Sequence, residues 1–119
     1  MREIKFRVWD DRPEVQGYLD TDSVFLMVNG SCLIDDVGDV IDMSTTTIEQ
    51  YTGMVDDGNT EIFEGDILKD NYDGTVIGSV EYIDDYAMFW CGTMPLDDVV
   101  PDGQVCGNIH EDKELLGER

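Results

Sequence analysis

Apart from carboxylates, few residues in this chain can do chemistry. The single histidine, His110, stands four positions after Cys106. Cysteine catalysis needs a thiolate beside a base. On a strand, that spacing puts both side chains on one face but roughly 13 Å apart, at about 3.3 Å per residue. The two therefore do not form a dyad, and His110, beside an acidic C-terminal segment, reads as a surface residue. Cys32, Cys91, Cys106 and His110 match a zinc site in number. Structural zinc sites take closely spaced ligands, and these positions are scattered. Asp35, Asp36, Asp39 and Asp42 offer many oxygens, as does Asp56-Asp57-Gly58-Asn59, yet neither run has the closing Glu of an EF-hand. Only weak, adventitious calcium binding is expected there. Among 28 acidic residues, some pair always lies at a separation suited to glycoside hydrolysis, so such a pair carries no signal. No Gly-rich phosphate loop is present. The expectation is a protein that is not an enzyme, with no cofactor and no metal.

The carboxylates themselves are the dominant feature. Seven Lys and Arg face 28 Asp and Glu over 119 residues, for a net charge of −21 and a pI near 4.1. No Lys or Arg lies between Arg12 and Lys69, and none between Lys69 and Lys113. Like-charge repulsion argues against nucleic acid and anionic membranes as direct partners. A basic protein is the expected partner, and the oligomeric state is left open. A hydrophobic share of 41% is enough for a core and argues against global disorder. Three cysteines without a CxxC pair suggest free thiols in a reducing cytoplasm. The N-terminus has no apolar signal-peptide region. The longest apolar run, Val24–Val28, is too short to span a bilayer.

The elements that would carry these acids read as short strands. Glu3–Asp10 alternates polar and apolar, which predicts a half-buried strand with Ile4, Phe6 and Val8 inward and Trp9 on the other face. Val24–Val28 reads as a buried strand. Asn29-Gly30 predicts a tight turn, with Cys32-Leu33-Ile34 returning as the hairpin partner. Val40–Met43 and Thr45–Tyr51 are rich in β-branched residues and favour strands, although Ser44 is also placed to cap a short helix over Thr45–Gln50. Further strands are expected at Asp66–Lys69, at Thr75–Ile83 with a bulge or bend at Gly78, at Tyr86–Cys91 and at Val105–His110. Pro95 and Pro101 bracket an acidic loop, and Glu111–Leu116 forms a short helix or an irregular tail. Acidic pairs occupy the connections: Asp35-Asp36, Asp56-Asp57, Asp84-Asp85 and Asp97-Asp98. The expected fold is a mostly β single domain over residues 1–119, with a β-rich α+β fold as the alternative: a small, partly open barrel or sandwich with at most one or two short helices.

Three ordered segments carry a resemblance: Met1–Asp10 (MREIKFRVWD), Gln50–Gly53 (QYTG) followed by Glu61–Lys69 (EIFEGDILK), and Gly107–Leu116 (GNIHEDKELL). Together they span the chain and resemble the YopX family of phage and prophage proteins. The resemblance implies a bacterial cytoplasmic location, a mainly β fold with an SH3-like, barrel-like C-terminal part, and no established activity or catalytic residues to carry over. In the residues themselves, Gly53 and Gly65 suit tight turns, and Tyr51, Ile62 and Ile67 suit a core. Family members usually carry lysines in the loop after the Thr-Gly pair. Here that loop, Met54–Thr60, has no cation, so the acidity looks like a feature of this chain laid over a family scaffold.

The functional expectation follows from charge. Duplex DNA carries one negative charge per about 1.7 Å of axis, so −21 corresponds to roughly 36 Å of duplex. Carboxylates at the turns would stand in for phosphates before the Arg and Lys of a host nucleic-acid-binding protein such as a CRISPR effector, a restriction enzyme or a regulator. The residues expected to form that surface are Asp35, Asp36, Asp39, Asp42, Asp56, Asp57, Asp84, Asp85, Asp97 and Asp98. The competing expectation is an adaptor that binds a host protein through an aromatic patch drawn from Trp9, Tyr72, Tyr86 and Trp90, with charge serving solubility.

Overall fold

The computed structural model describes residues 4–19, 24–26 (backbone only), 33–35 and 37–117. Among these the protein is mostly β, with one single-turn α-helix and short 3₁₀ turns. The chain divides into two compact units, one over Lys5–Gln50 and one that joins Ile4 to the residues from Tyr51 onward.

The first unit opens with β1 (Phe6–Asp10), which pairs antiparallel with β2 (Gly17–Tyr18) on one side. On its other side lies the first half of β6 (Thr46–Val55), with Phe6 opposite Gln50 and Asp10 opposite Thr46. The expected alternation of β1 does not hold. Ile4 and Phe6 are exposed, while Val8, Trp9 and Asp10 are buried in succession. β1 is an inner strand, flanked by β2 and β6, and successive residues at its C-terminal end are buried. Tyr18 packs edge-on against Trp9 with ring centroids 5.1 Å apart, and Arg12 neutralises Asp10. A second sheet orders β3 (Val24–Leu26), β4 (Leu33–Asp35) and β5 (Val40–Ile41). The β3–β4 pairing is the expected hairpin, with Phe25 opposite Ile34. The turn expected at Asn29-Gly30, Cys32 and Asp36 lie outside the described residues. A 3₁₀ turn at Met43–Thr45, capped by Asp42 rather than Ser44, leads directly into β6. Thr46–Gln50 is strand, as its β-branched content favours.

In the second unit, the end of β6 pairs with β7 (Glu61–Phe63), and a register shift falls between Tyr51 and Val55. Gly53, with φ 86°, sits at that irregularity, and Gly65, also at φ 86°, sits in the two-residue turn between β7 and β8 (Asp66–Asp70). Both angles are left-handed and suit glycine. A five-stranded antiparallel sheet runs in the order β11-β10-β9-β8-β12, built from β8, β9 (Val76–Ile83), β10 (Met88–Cys91), β11 (Met94–Pro95) and β12 (Gly103–Asn108). The bulge expected at Gly78 is present: Leu68 faces Gly78 while Lys69 faces Val76. The loop between Pro95 and Pro101 contains α1 (Leu96–Val99), whose Leu96 and Val99 point inward while Asp97 and Asp98 are exposed. The core joins Ile62, Leu68, Val80, Cys91, Leu96 and Val99. Full burial of such side chains contributes roughly 1.5–3 kcal/mol each. Tyr51 and Ile67 are buried too, as expected.

Candidate partner-binding surface

Much of the acidity goes into building the chain's own turns. Among the described residues, six aspartates accept a hydrogen bond from the backbone N–H two residues ahead: Asp10 from Arg12, Asp35 from Val37, Asp42 from Ser44, Asp56 from Gly58, Asp70 from Tyr72 and Asp73 from Thr75. This is Asx-turn chemistry, in which the side chain imitates a backbone carbonyl. The Ser44 N–H holds the Asp42 carboxyl below its ordinary range, and the Thr75 N–H does the same for Asp73. Asp10 is fully buried and is held low chiefly by the Arg12 side chain, whose Nη2 lies 2.7 Å from Oδ2.

Asp56 is the clearest departure from the expected acidic surface. It is only 5% exposed. Oδ1 accepts from the N–H groups of Gly58 and Thr60, and Oδ2 accepts from Val105 N at 2.9 Å. The carboxylate thus ties the loop after β6 to the edge of β12, and it is not available to a partner. Its neighbour Asp57 is exposed but accepts from Asn71 Nδ2 at 2.8 Å. Asp35 is half-buried and accepts from both Val37 and Asp39 N–H groups. Asp42 is exposed and caps the 3₁₀ turn, while the Asp39 side chain is exposed.

Like Asp39, and unlike the aspartates of the Asx turns, Asp84, Asp85, Asp97 and Asp98 stand bare. All four are exposed, and among the described residues their carboxylates form no hydrogen bond or ion pair. Asp84 and Asp85 lie in the 3₁₀ turn Asp84–Tyr86 that joins β9 to β10. Asp97 and Asp98 lie on α1, which follows β11. Register adds a fifth acid that turn composition did not reveal, the exposed and likewise unengaged Glu81, directly opposite Trp90 across β9 and β10. Since Val80 and Cys91 face each other in the core, Glu81 and Trp90 share the opposite face.

The expected aromatic patch is only partly assembled. Tyr86 stacks on Trp90 with centroids 5.2 Å apart and an interplanar angle of 24°. Tyr86 is 62% exposed. The Trp90 indole N–H is shielded from water and meets no acceptor. Tyr72 is exposed in a separate turn. Trp9 is buried in the first unit and drops out of any exposed patch.

Neither described thiol is activated. Burial pushes the Cys91 thiol up to about 11, and its Sγ donates to Gly78 O at 3.4 Å. Burial also raises the Cys106 thiol. A thiol so raised is a poor nucleophile near neutral pH. His110 is half-buried in the turn after β12. Among the described residues no three His, Cys, Asp or Glu side chains converge on a metal-sized site, and no helix is long and apolar enough to cross a membrane. A cleft of about 360 Å³ in the first unit is lined by Arg12, Asp35, Val40, Ile41, Asp42 and Thr45. Its charged groups are already engaged, Arg12 by Asp10 and the two aspartates by backbone N–H groups.

Fold and surface together define a small acidic β protein that builds its turns with some aspartates and presents others, unengaged, on one hairpin and the helix beside it. The chain belongs to the YopX family, whose model, described as YopX protein, matches residues 5–117. The fold is similar to the crystal structure of protein EF1440 from Enterococcus faecalis, with a TM-score of 0.73 and 26% identity, covering 98% of this chain and 99% of that one. Comparison with curated proteins finds no match.

Proposed function

We propose that this protein is a phage-encoded, non-enzymatic interaction protein of the bacterial cytoplasm. Its acidic surface occupies the nucleic-acid site of a basic host protein, with carboxylates in the place of phosphates. A CRISPR effector, a restriction enzyme or a DNA-binding regulator fits this role. One observation carries the reading. Glu81, Asp84, Asp85, Asp97 and Asp98 are exposed and unengaged, in a stretch where residues 70–112 contain no Lys or Arg. The acids needed for folding are satisfied elsewhere, so these five add repulsion with no internal return. Carboxylates left in this state suit charge-assisted pairing with Arg and Lys of a partner.

The test begins with immobilised protein in bacterial extract at low salt, followed by purification of whatever basic protein is retained. The affinity of the purified pair should fall steeply with salt, and duplex DNA or RNA should compete. Binding that persists at about 0.5 M NaCl, where screening is nearly complete, or that leaves nucleic acid bound, rejects mimicry. Persistence at high salt favours the second reading, an adaptor that docks through the Tyr86–Trp90 stack, the two members of the expected patch that come together.

A further inference from the structure

The β9–β10 hairpin combines two features that together select one kind of cation. Tyr86 is stacked on Trp90 through one ring face and is still 62% exposed. Unengaged carboxylates neighbour the pair in sequence and in strand register. Asp84 and Asp85 precede Tyr86 in the same turn, and Glu81 is the direct cross-strand neighbour of Trp90. Direct neighbours of this kind have Cβ atoms about 5 Å apart. On its other side Trp90 pairs with Pro95, and α1 with Asp97 and Asp98 begins at the next residue.

The protein already builds this chemistry in its first unit. There the Arg7 guanidinium lies over the Tyr18 ring at 4.4 Å, and its Nε pairs with the Glu49 carboxylate at 2.8 Å. The hairpin holds the same tyrosine and carboxylate components, but the nearest basic residues in sequence are Lys69 and Lys113. A planar guanidinium stacks on an aromatic face while its fork engages a carboxylate; an ammonium is a point charge that matches the geometry less well.

We propose that the Tyr86–Trp90 stack and its flanking carboxylates form an arginine-selective docking site for a basic segment of a partner protein. This rests on the acidic-surface reading and narrows it from any cation to arginine.

The experiment titrates the intact protein with an arginine-rich peptide and with the same peptide carrying lysine at every arginine, by calorimetry at low salt. The arginine peptide should bind about fivefold tighter, a factor set by stacking. Tyr86→Ala should remove that preference by weakening the arginine peptide more than the lysine peptide, and Tyr86→Phe should retain it. Because Tyr86 is exposed, the alanine variant keeps the core intact. Equal affinities in the unmodified protein, or a preference that survives Tyr86→Ala, overturn the arginine site. If binding is then still salt-sensitive and is lost on neutralising the five acids, the acidic surface stands without it. If neither peptide binds, both readings fall.

Discussion

At the residue scale, aspartates divide by the work their oxygens do. Asp56 and Asp85 are both members of acidic pairs at turns and look alike in sequence, but one is buried under three N–H donors and the other is bare. Asp56→Ala should lower stability by about 3 kcal/mol, because hydrogen bonds to a buried charge are strong and the freed Val105 N–H loses its acceptor. Asp85→Asn should change it by no more than about 0.5 kcal/mol. Chemical denaturation of the two variants checks the contrast. Asp10 gives a pH-dependent case. Its carboxyl is depressed by Arg12, so its ionised form stabilises the fold above the ordinary aspartate value of about 3.9, and that contribution is lost as pH falls from there towards the depressed value. The deficit in melting temperature of Asp10→Asn should therefore be full at neutral pH and should shrink in acid below about pH 4. A deficit that stays constant would mean that charge plays no part at this position.

At the scale of elements, strand positions were largely legible because turns are marked by Asp, Asn and Gly, and β-branched runs lie between them. What alternation did not reveal was which faces are covered. A period of two assigns one inward face, yet Val8 and Trp9 are both buried, the latter with Tyr18 packed edge-on against it. The same gap hid Glu81, whose place beside Trp90 depends on the β9–β10 register and not on composition. The Asx turns were legible in principle, since each is an Asp whose carboxylate reaches two residues ahead, but no spacing rule separates them from Asp84 or Asp97. The Gly78–Gly92 approach also arises only in three dimensions. A Cβ on Gly92, at φ 61°, would lie 2.5 Å from the Ile77 carbonyl oxygen, and one on Gly78 would lie 2.6 Å from Gly92 Cα. Gly92→Ala should cost about 2 kcal/mol or more, from the left-handed backbone and the backbone clash together. A thermal melt of that variant measures it, and an unchanged midpoint would show that the β9 bulge yields easily.

For the whole molecule, a charge of −21 opposes compaction. Added NaCl should raise the melting temperature by screening that repulsion; a flat or falling trend would mean that the carboxylates are locally compensated. The bulk charge was plain in the sequence, and so was the β class. The division of that charge between turns and free surface was not, because it depends on which N–H groups each carboxylate meets after folding.

The central claim is that Glu81, Asp84, Asp85, Asp97 and Asp98 carry partner binding. The most direct test compares the unmodified protein with a variant bearing Glu81→Gln and Asn at the other four positions. Affinity for the purified basic partner is followed across a range of NaCl concentrations. In the unmodified protein log K should fall linearly with log salt, and in the variant both the affinity and the slope should drop markedly. A variant that keeps the original affinity and slope would contradict the claim and would leave those carboxylates facing only water.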